Sequence, residues 1–259
     1  MNGPPPPPPR PGPKPRPAPL QPRTVLSPLG RFAVAVDIPA RGWSGAHVWP
    51  DTGVLLSMGR KARLRARFVS HYAGRASVVQ TVSGELDHLA DVTPARLPPQ
   101  RVAARDAALS IRPVLVSGAV PVVPAARPGD EDEERTAEHV IGDLRALPQD
   151  EDDLSFRHGG EAAVILACLQ GMKAGGRHIM LANDGPASKI AAKHGVLTRH
   201  AAHVLAEFAC ADAALDPQQL HDDFTYTLAV SRPPADCLPA GAQDFTCWRA
   251  DDGTCARCD

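Results

Sequence analysis

The sequence predicts an α/β protein built around a parallel sheet. Two observations carry that expectation. The first is a helix–turn–strand–helix succession between residues 160 and 195, GEAAVILACLQGMKAGGRHIMLANDGPASKIAAKHG. A helix of about 13 residues advances roughly 20 Å at 1.5 Å per residue, and a strand of about six residues returns roughly 20 Å at 3.3 Å per residue. The chain therefore comes back to the edge it left, which places Glu161 and Asp184 together at the carboxyl ends of strands. Open α/β sheets hold their sites there. The second observation is the same length match between residues 51 and 85. A helix of about 17 residues runs roughly 26 Å, and a seven-residue strand returns roughly 23 Å. Asp51 and Glu85 then share an edge, and with right-handed crossovers all four acids face one place.

Taken in order, residues 1–44 form a proline-rich N-terminal segment. Its first 28 residues hold 13 prolines, four basic residues and no acidic ones. That composition supplies neither donors nor apolar mass for a core, and a largely disordered, polyproline-like tail is expected. Phe32 to Val36 reads as a short strand ending at Asp37. His47 to Pro50 leads into Asp51-Thr52, a natural N-cap pair. Val54, Leu55, Met58, Leu64 and Phe68 make one helical stripe, and Arg60, Lys61, Arg63, Arg65 and Arg67 place five cations within eight residues. Ala76 to Val82 reads as a strand, with Ser83 capping a helix that carries Glu85, Leu86 and Leu89.

Arg101 to Ser110 is a helical piece, and the Val/Pro segment 113–124 has no clear assignment. The acidic runs Asp130–Glu134 and Asp150–Asp153 read as solvated loops around an amphipathic helix from Glu133 to Leu147. In the central succession, Gly175 and Gly176 end the first helix, Arg177 to Leu181 forms the strand, and Pro186 opens the next helix. His194 and Gly195 close it. Thr198 to Cys210 reads as a helix capped by Thr198, and Phe224 to Val230 as a late strand by its alternation.

Composition narrows the function classes. The chain has 259 residues and a formal net charge of −1, so overall charge does not announce a nucleic-acid binder. No secretory leader is seen at the start, and no apolar run reaches the roughly 18 residues of a membrane span; a cytoplasmic location is expected. Cys237, Cys247, Cys255 and Cys258 lie in the tail 233–259. They are read either as free thiols or as a structural zinc site, since only the last pair has ribbon spacing. His200 and His203 sit three apart on a helix, near His194, and are read chiefly as structural. No glycine-rich phosphate loop and no Ser/His/Asp arrangement supports another enzyme class.

Converging carboxylates cannot all stay ionised without a counter-charge. A hard divalent cation resolves the conflict, and Mg²⁺ or Mn²⁺ suits oxygen ligands. The cations at 60–67 are read either as a solvated face or as a contact for a nucleic-acid backbone beside the metal.

The stretch from about Gly45 to His203 resembles the PIN domain family of metal-dependent ribonucleases. The resemblance is carried by DTGVLL at 51–56, VVQTVSGEL at 78–86, GEAAVILA at 160–167 and NDGPASKIAAKHGV at 183–196. It implies a three-layer α/β/α sandwich around a central parallel sheet over 45–232, with an acidic insert near 128–153. It implies that Asp51, Glu85, Glu161 and Asp184 are the metal ligands and catalytic residues of an endoribonuclease that hydrolyses RNA phosphodiesters. It also makes an antitoxin partner and a homodimer plausible, because many small members are toxins of toxin–antitoxin pairs. Two departures stand out. Pro50 precedes Asp51 where the family has an aliphatic strand residue, which leaves Asp37 as an alternative first ligand. Ala182 stands where members often carry a hydroxyl. Asn183 is read either as a residue that orients a carboxylate or substrate or as a surface turn residue. The competing functional reading is a catalytically inactive PIN-like module that binds partners through its tails. A third is a small-molecule hydrolase with an apolar pocket beside the acids.

Overall fold

The computed structural model describes residues 45–94, 97–147, 158–212, 214–235 and 238–246. The expected strand 32–36, the alternative ligand Asp37, the acidic run 150–153 and the four tail cysteines lie outside the described residues.

The protein is mixed α/β and mostly helical, with a small parallel sheet. The strands are β1 (His47–Pro50), β2 (Val78–Val79), β3 (Val122–Val123), β4 (His178–Leu181) and β5 (Leu197–Arg199). The helices are α1 (Thr52–Gly59), α2 (Ala62–His71), α3 (Gln80–Asp91), α4 (Pro99–Val116), α5 (Glu131–Arg145), α6 (Gly159–Lys173), α7 (Gly185–Lys193), α8 (Ala201–Ala211) and α9 (Pro217–Thr227).

β4 lies between β1 and β5, β2 pairs with β3, and every pairing is parallel. A single parallel bridge between Val48 and Ala76 joins the two groups. The spatial order is therefore β3-β2-β1-β4-β5. From β1 the chain crosses to β2 on one side, and β4 enters on the other. The order reverses between β1 and β4, and the crevice beyond their carboxyl ends is the natural ligand position of such a sheet.

Pro50 is accommodated in this central strand for a definite reason. Successive amides of β1 point to opposite neighbours. His47 N donates to Arg177 O and Asp51 N to Leu181 O, on the β4 side, while Val48 N donates to Arg75 O on the other side. The missing N–H of Pro50 thus falls on the β2 side, beyond the lone bridge at Val48, where the ladder has already ended. The usual objection to proline in a central strand does not apply there.

Five expectations are corrected. The stripe from Val54 to Phe68 is two helices, broken at Arg60–Lys61, with Lys61 extended before α2. The strand expected over Ala76 to Val82 contracts to Val78–Val79, and α3 begins at Gln80, so Ser83 lies inside the helix rather than capping it. Leu197–Arg199 is strand β5, and His200, not Thr198, precedes α8. Phe224 to Val230 is helical to Thr227: Asp216 caps α9, Pro217 opens it, and Leu220, Phe224 and Thr227 bury one helical face at spacings of four and three. The unassigned segment 113–124 resolves into the end of α4 followed by edge strand β3, and Asp130–Glu134 supplies the cap and first turn of α5 rather than a loop. Acidic groups suit a helix N-terminus, and Asp130 and Glu133 both pair with Lys173.

The core is continuous around the sheet. Ile179, Met180 and Leu181 of β4 are buried, and Leu55 and Met58 of α1, Val164 and Ile165 of α6, and Val204 and Leu205 of α8 pack in the same cluster. Among the described residues no helix is long and apolar enough to cross a membrane.

Candidate functional site

Each of the four acids is delivered by local chain chemistry. Asp51 follows β1 and caps α1, its Oδ1 accepting from Val54 N at 2.7 Å. Asp184 lies three residues past β4 and caps α7 in the same way, accepting from Ala187 N at 2.7 Å. A cap of this kind uses one carboxylate oxygen to satisfy an orphan amide and leaves the other for something else. Glu85 extends from the second turn of α3, and Glu161 from the first turn of α6.

All four line one cleft of about 810 Å³, together with Thr52, Asn183, His88 and His158. It lies at the strand-order reversal between β1 and β4. Asp51 faces this cleft although Pro50 precedes it.

Close packing positions Glu85. The Thr52 hydroxyl donates to Glu85 Oε2, and the Gly160 amide also bonds this carboxylate. A methyl group at Gly160 would lie 2.6 Å from Glu85 Oε1, so a larger residue there would displace the Glu85 carboxylate. Neither Thr52 nor Gly160 stands out in the sequence as a site residue, although both sit beside a predicted acid.

The electrostatics are those of crowded like charges. Asp51 is 4% exposed. Burial holds its carboxyl well above the usual range; the Val54 amide opposes this, and Glu161, Asp184 and Glu85 push it further up. Burial also raises Glu85; Thr52 opposes it, Glu161 adds to it, and Gly160 opposes it. The donor chemistry is all hard oxygen, which fits Mg²⁺ or Mn²⁺. The spacing is more open. Among the described residues no three His, Cys, Asp or Glu side chains come together as a set able to hold one ion. Glu85 is turned to Thr52 and Gly160, and Glu161 Oε2 lies 3.9 Å from His158 Nδ1.

Other candidates resolve differently. Asn183 is buried, not a surface turn: its Nδ2 donates to Ser57 Oγ (3.1 Å) and Ser231 Oγ (3.0 Å), and its Oδ1 accepts from Ala201 N (2.9 Å). His200 Nδ1 lies 2.9 Å from Ala182 O, and His203 Nδ1 accepts from His200 N at 3.0 Å. The pair joins β4 to α8 as structure, in keeping with the sequence reading.

The five cations at 60–67 are not available beside the acids. α1 has eight residues and carries the chain about 12 Å from the acid-bearing edge before they begin. Lys61 and Arg63 both hold Asp223, at 2.6 Å for Lys61 Nζ. Arg65 donates to Ser110 Oγ, Arg67 pairs with Asp212 at 3.2 Å, and Arg60 lies 4.2 Å over the Tyr226 ring. They bind α2 to α4, α8 and α9.

Comparison of the chain with protein families, with curated proteins and with solved structures finds no match.

Proposed function

We propose that the protein is a PIN-like, Mg²⁺- or Mn²⁺-dependent endoribonuclease. The observation that supports this most is the convergence of Asp51, Glu85, Glu161 and Asp184 on one cleft at the strand-order reversal. A three-layer α/β/α arrangement around the sheet, a cytoplasmic setting, a toxin role with an antitoxin partner, and homodimerisation belong to the same proposal.

On this reading the unshared oxygens of Asp51 and Asp184, with Glu85 and Glu161, hold the cation. When bound, the ion activates water and stabilises the charge that builds on a phosphodiester during in-line displacement. Thr52 and Gly160 fix the Glu85 carboxylate. No side-chain nucleophile is required.

One observation favours a second reading, the catalytically inactive binding module. Asp51 and Asp184 both serve as helix caps, and the four acids do not stand as a closed ligand set among the described residues. Incubation of a mixed RNA pool with Mn²⁺ or Mg²⁺, using wild type and Asp184→Asn side by side, separates the two. Metal-dependent cleavage that disappears in the variant is the nuclease outcome. If neither protein cuts RNA and the wild type takes up no Mn²⁺, Asp51 and Asp184 serve as caps alone and the binding module stands.

A further inference from the structure

The cleft has a wall that the acid motifs do not supply. After α9 the chain runs through residues 230–234 across the acid-bearing edge. Val230 N and Ser231 N both return to Thr227 O, at 3.0 and 3.3 Å, so the segment leaves the helix in a tight turn. Ser231 Oγ then accepts from Asn183 Nδ2 at 3.0 Å, next to Asp184. Two glycines make room for the crossing. A methyl group at Gly53 would lie 2.6 Å from Ser231 Oγ, and one at Gly185 would lie 2.6 Å from Pro234 Cγ. Gly53 lies in the first turn of the helix capped by Asp51, and Gly185 in that of the helix capped by Asp184. The segment is thus seated on the first turns of α1 and α7, the two helices whose caps carry site acids.

Arg232 occupies the middle of this segment. It is exposed and lines the acid cleft, the one arginine or lysine among the described residues that do so. The clustered cations at 60–67 face other partners at the far end of α1. A polyanionic strand entering a cleft walled by four carboxylates is favoured by a cation at the rim.

We infer that Arg232 is the substrate-binding residue of the cleft, holding a phosphate of a nucleic-acid strand adjacent to the one that faces the acids. This rests on the nuclease reading and adds to it a chain segment outside the region of family resemblance. The guanidinium presents a planar fork of donors that matches two phosphate oxygens, which a lysine cannot reproduce. The contact is with backbone and carries no base preference.

The test uses the full chain with a labelled, short single-stranded RNA in Ca²⁺, followed by fluorescence anisotropy at several salt concentrations, together with Mn²⁺ calorimetry. Arg232→Ala is expected to weaken RNA binding roughly tenfold or more, as expected for loss of a charge-assisted contact, and equally across RNA sequences. It is expected to reduce the slope of log K against log salt by about 0.7, with Mn²⁺ affinity unchanged. Arg232→Lys is expected to fall between the two. An Arg232→Ala protein with wild-type RNA affinity and salt slope overturns the inference. So does a variant that loses Mn²⁺ affinity in step with RNA affinity, because it then acts on the acids rather than on substrate. Failure of the nuclease reading is seen separately: the wild type itself neither cuts RNA nor takes up Mn²⁺, and the inference falls with it.

Discussion

Two shielded carboxylates in this molecule have opposite surroundings. Glu207 of α8 lies among partners. Arg199 Nη1 donates to one oxygen, and Tyr72 Oη donates to the other at 2.6 Å, with His71 Nε2 3.3 Å away. Burial pushes its carboxyl up, but Arg199, His71 and Tyr72 more than offset this and hold it at about 2. Asp51 has one amide and three other acids. The first carboxylate is stabilised as an anion by the fold and ties α2, β5 and α8 together. The second is destabilised as an anion by the same fold. A matched charge reads as structure. A buried acid set among like charges, at the carboxyl ends of parallel strands, is a candidate functional site.

The largest effect that tests this contrast is on activity. Asp184→Asn keeps a side-chain oxygen able to cap α7 but removes a charge from the cleft. Metal-dependent RNA cleavage is expected to fall at least about 100-fold, the upper range for loss of a residue that only supports a metal ligand, while thermal unfolding stays near that of wild type.

The matched site is expected to respond in the other currency. Glu207→Gln removes the ion pair with Arg199, and the expected cost is about 2–3 kcal/mol, below the range for a fully buried pair because Glu207 is 18% exposed; urea denaturation measures it. The pH dependence follows from the sign of the shift. Glu207 is depressed in the folded state, so its contribution is present above the ordinary glutamate range and is lost as pH falls toward about 2. Wild type is expected to lose stability over that acid window, and Glu207→Gln to lose less of it.

Asp51 carries the opposite sign. Its folded-state pKa is raised, so above the ordinary aspartate range the unfolded chain gives up the proton more readily and the metal-free fold is weakened as pH rises. Asp51→Asn retains an N-cap residue and removes this cost. It is expected to stabilise the metal-free protein by about 1 kcal/mol, which raises Tm by about 2–4 °C in a chain of this size, measurable by calorimetry in chelator. For the same reason Mn²⁺ affinity of the wild type is expected to rise with pH, because the ion displaces a proton from Asp51.

The smallest effect is expected at the exposed pair Arg67–Asp212, with 38% and 47% of the side chains accessible. Arg67→Ala is expected to change stability by less than about 1 kcal/mol and to leave RNA binding as it is, since these cations hold helices together rather than substrate.

The sequence showed the acids more clearly than the elements that carry them. Asp51, Glu85, Glu161 and Asp184 line one cleft as expected, but the length match behind that expectation does not hold between 51 and 85, where the 54–68 stripe breaks at Arg60–Lys61 and the 76–82 strand contracts to Val78–Val79. Short strands were the weak point. Leu197–Arg199 merges into the apolar pattern of the helix after it, and Phe224 to Thr227 alternates over too few residues to tell strand from helix. Pro50 leaves Asp37 as an alternative in the sequence because strand pairing on each side of β1 is a tertiary property. Thr52, Gly160 and the crossing at 230–234 were hidden for a related reason: each matters through a neighbour distant in the chain. The glycines after Asp51-Thr52 and after Asp184 were the available signal, since a glycine in the first turn of an N-capped helix needs a cause, and here it is the approach of Ser231 and Pro234.

The central proposal is that the cleft takes a cation because Asp51 is buried beside Glu161, Asp184 and Glu85. Titration of Mn²⁺ into the metal-free wild type and Asp51→Asn by calorimetry at neutral pH, in two buffers of different ionisation enthalpy, tests it most directly. The account predicts saturable binding to the wild type with proton release, and loss of both in Asp51→Asn. No saturable binding by the wild type, or equal binding by the two proteins, would contradict it.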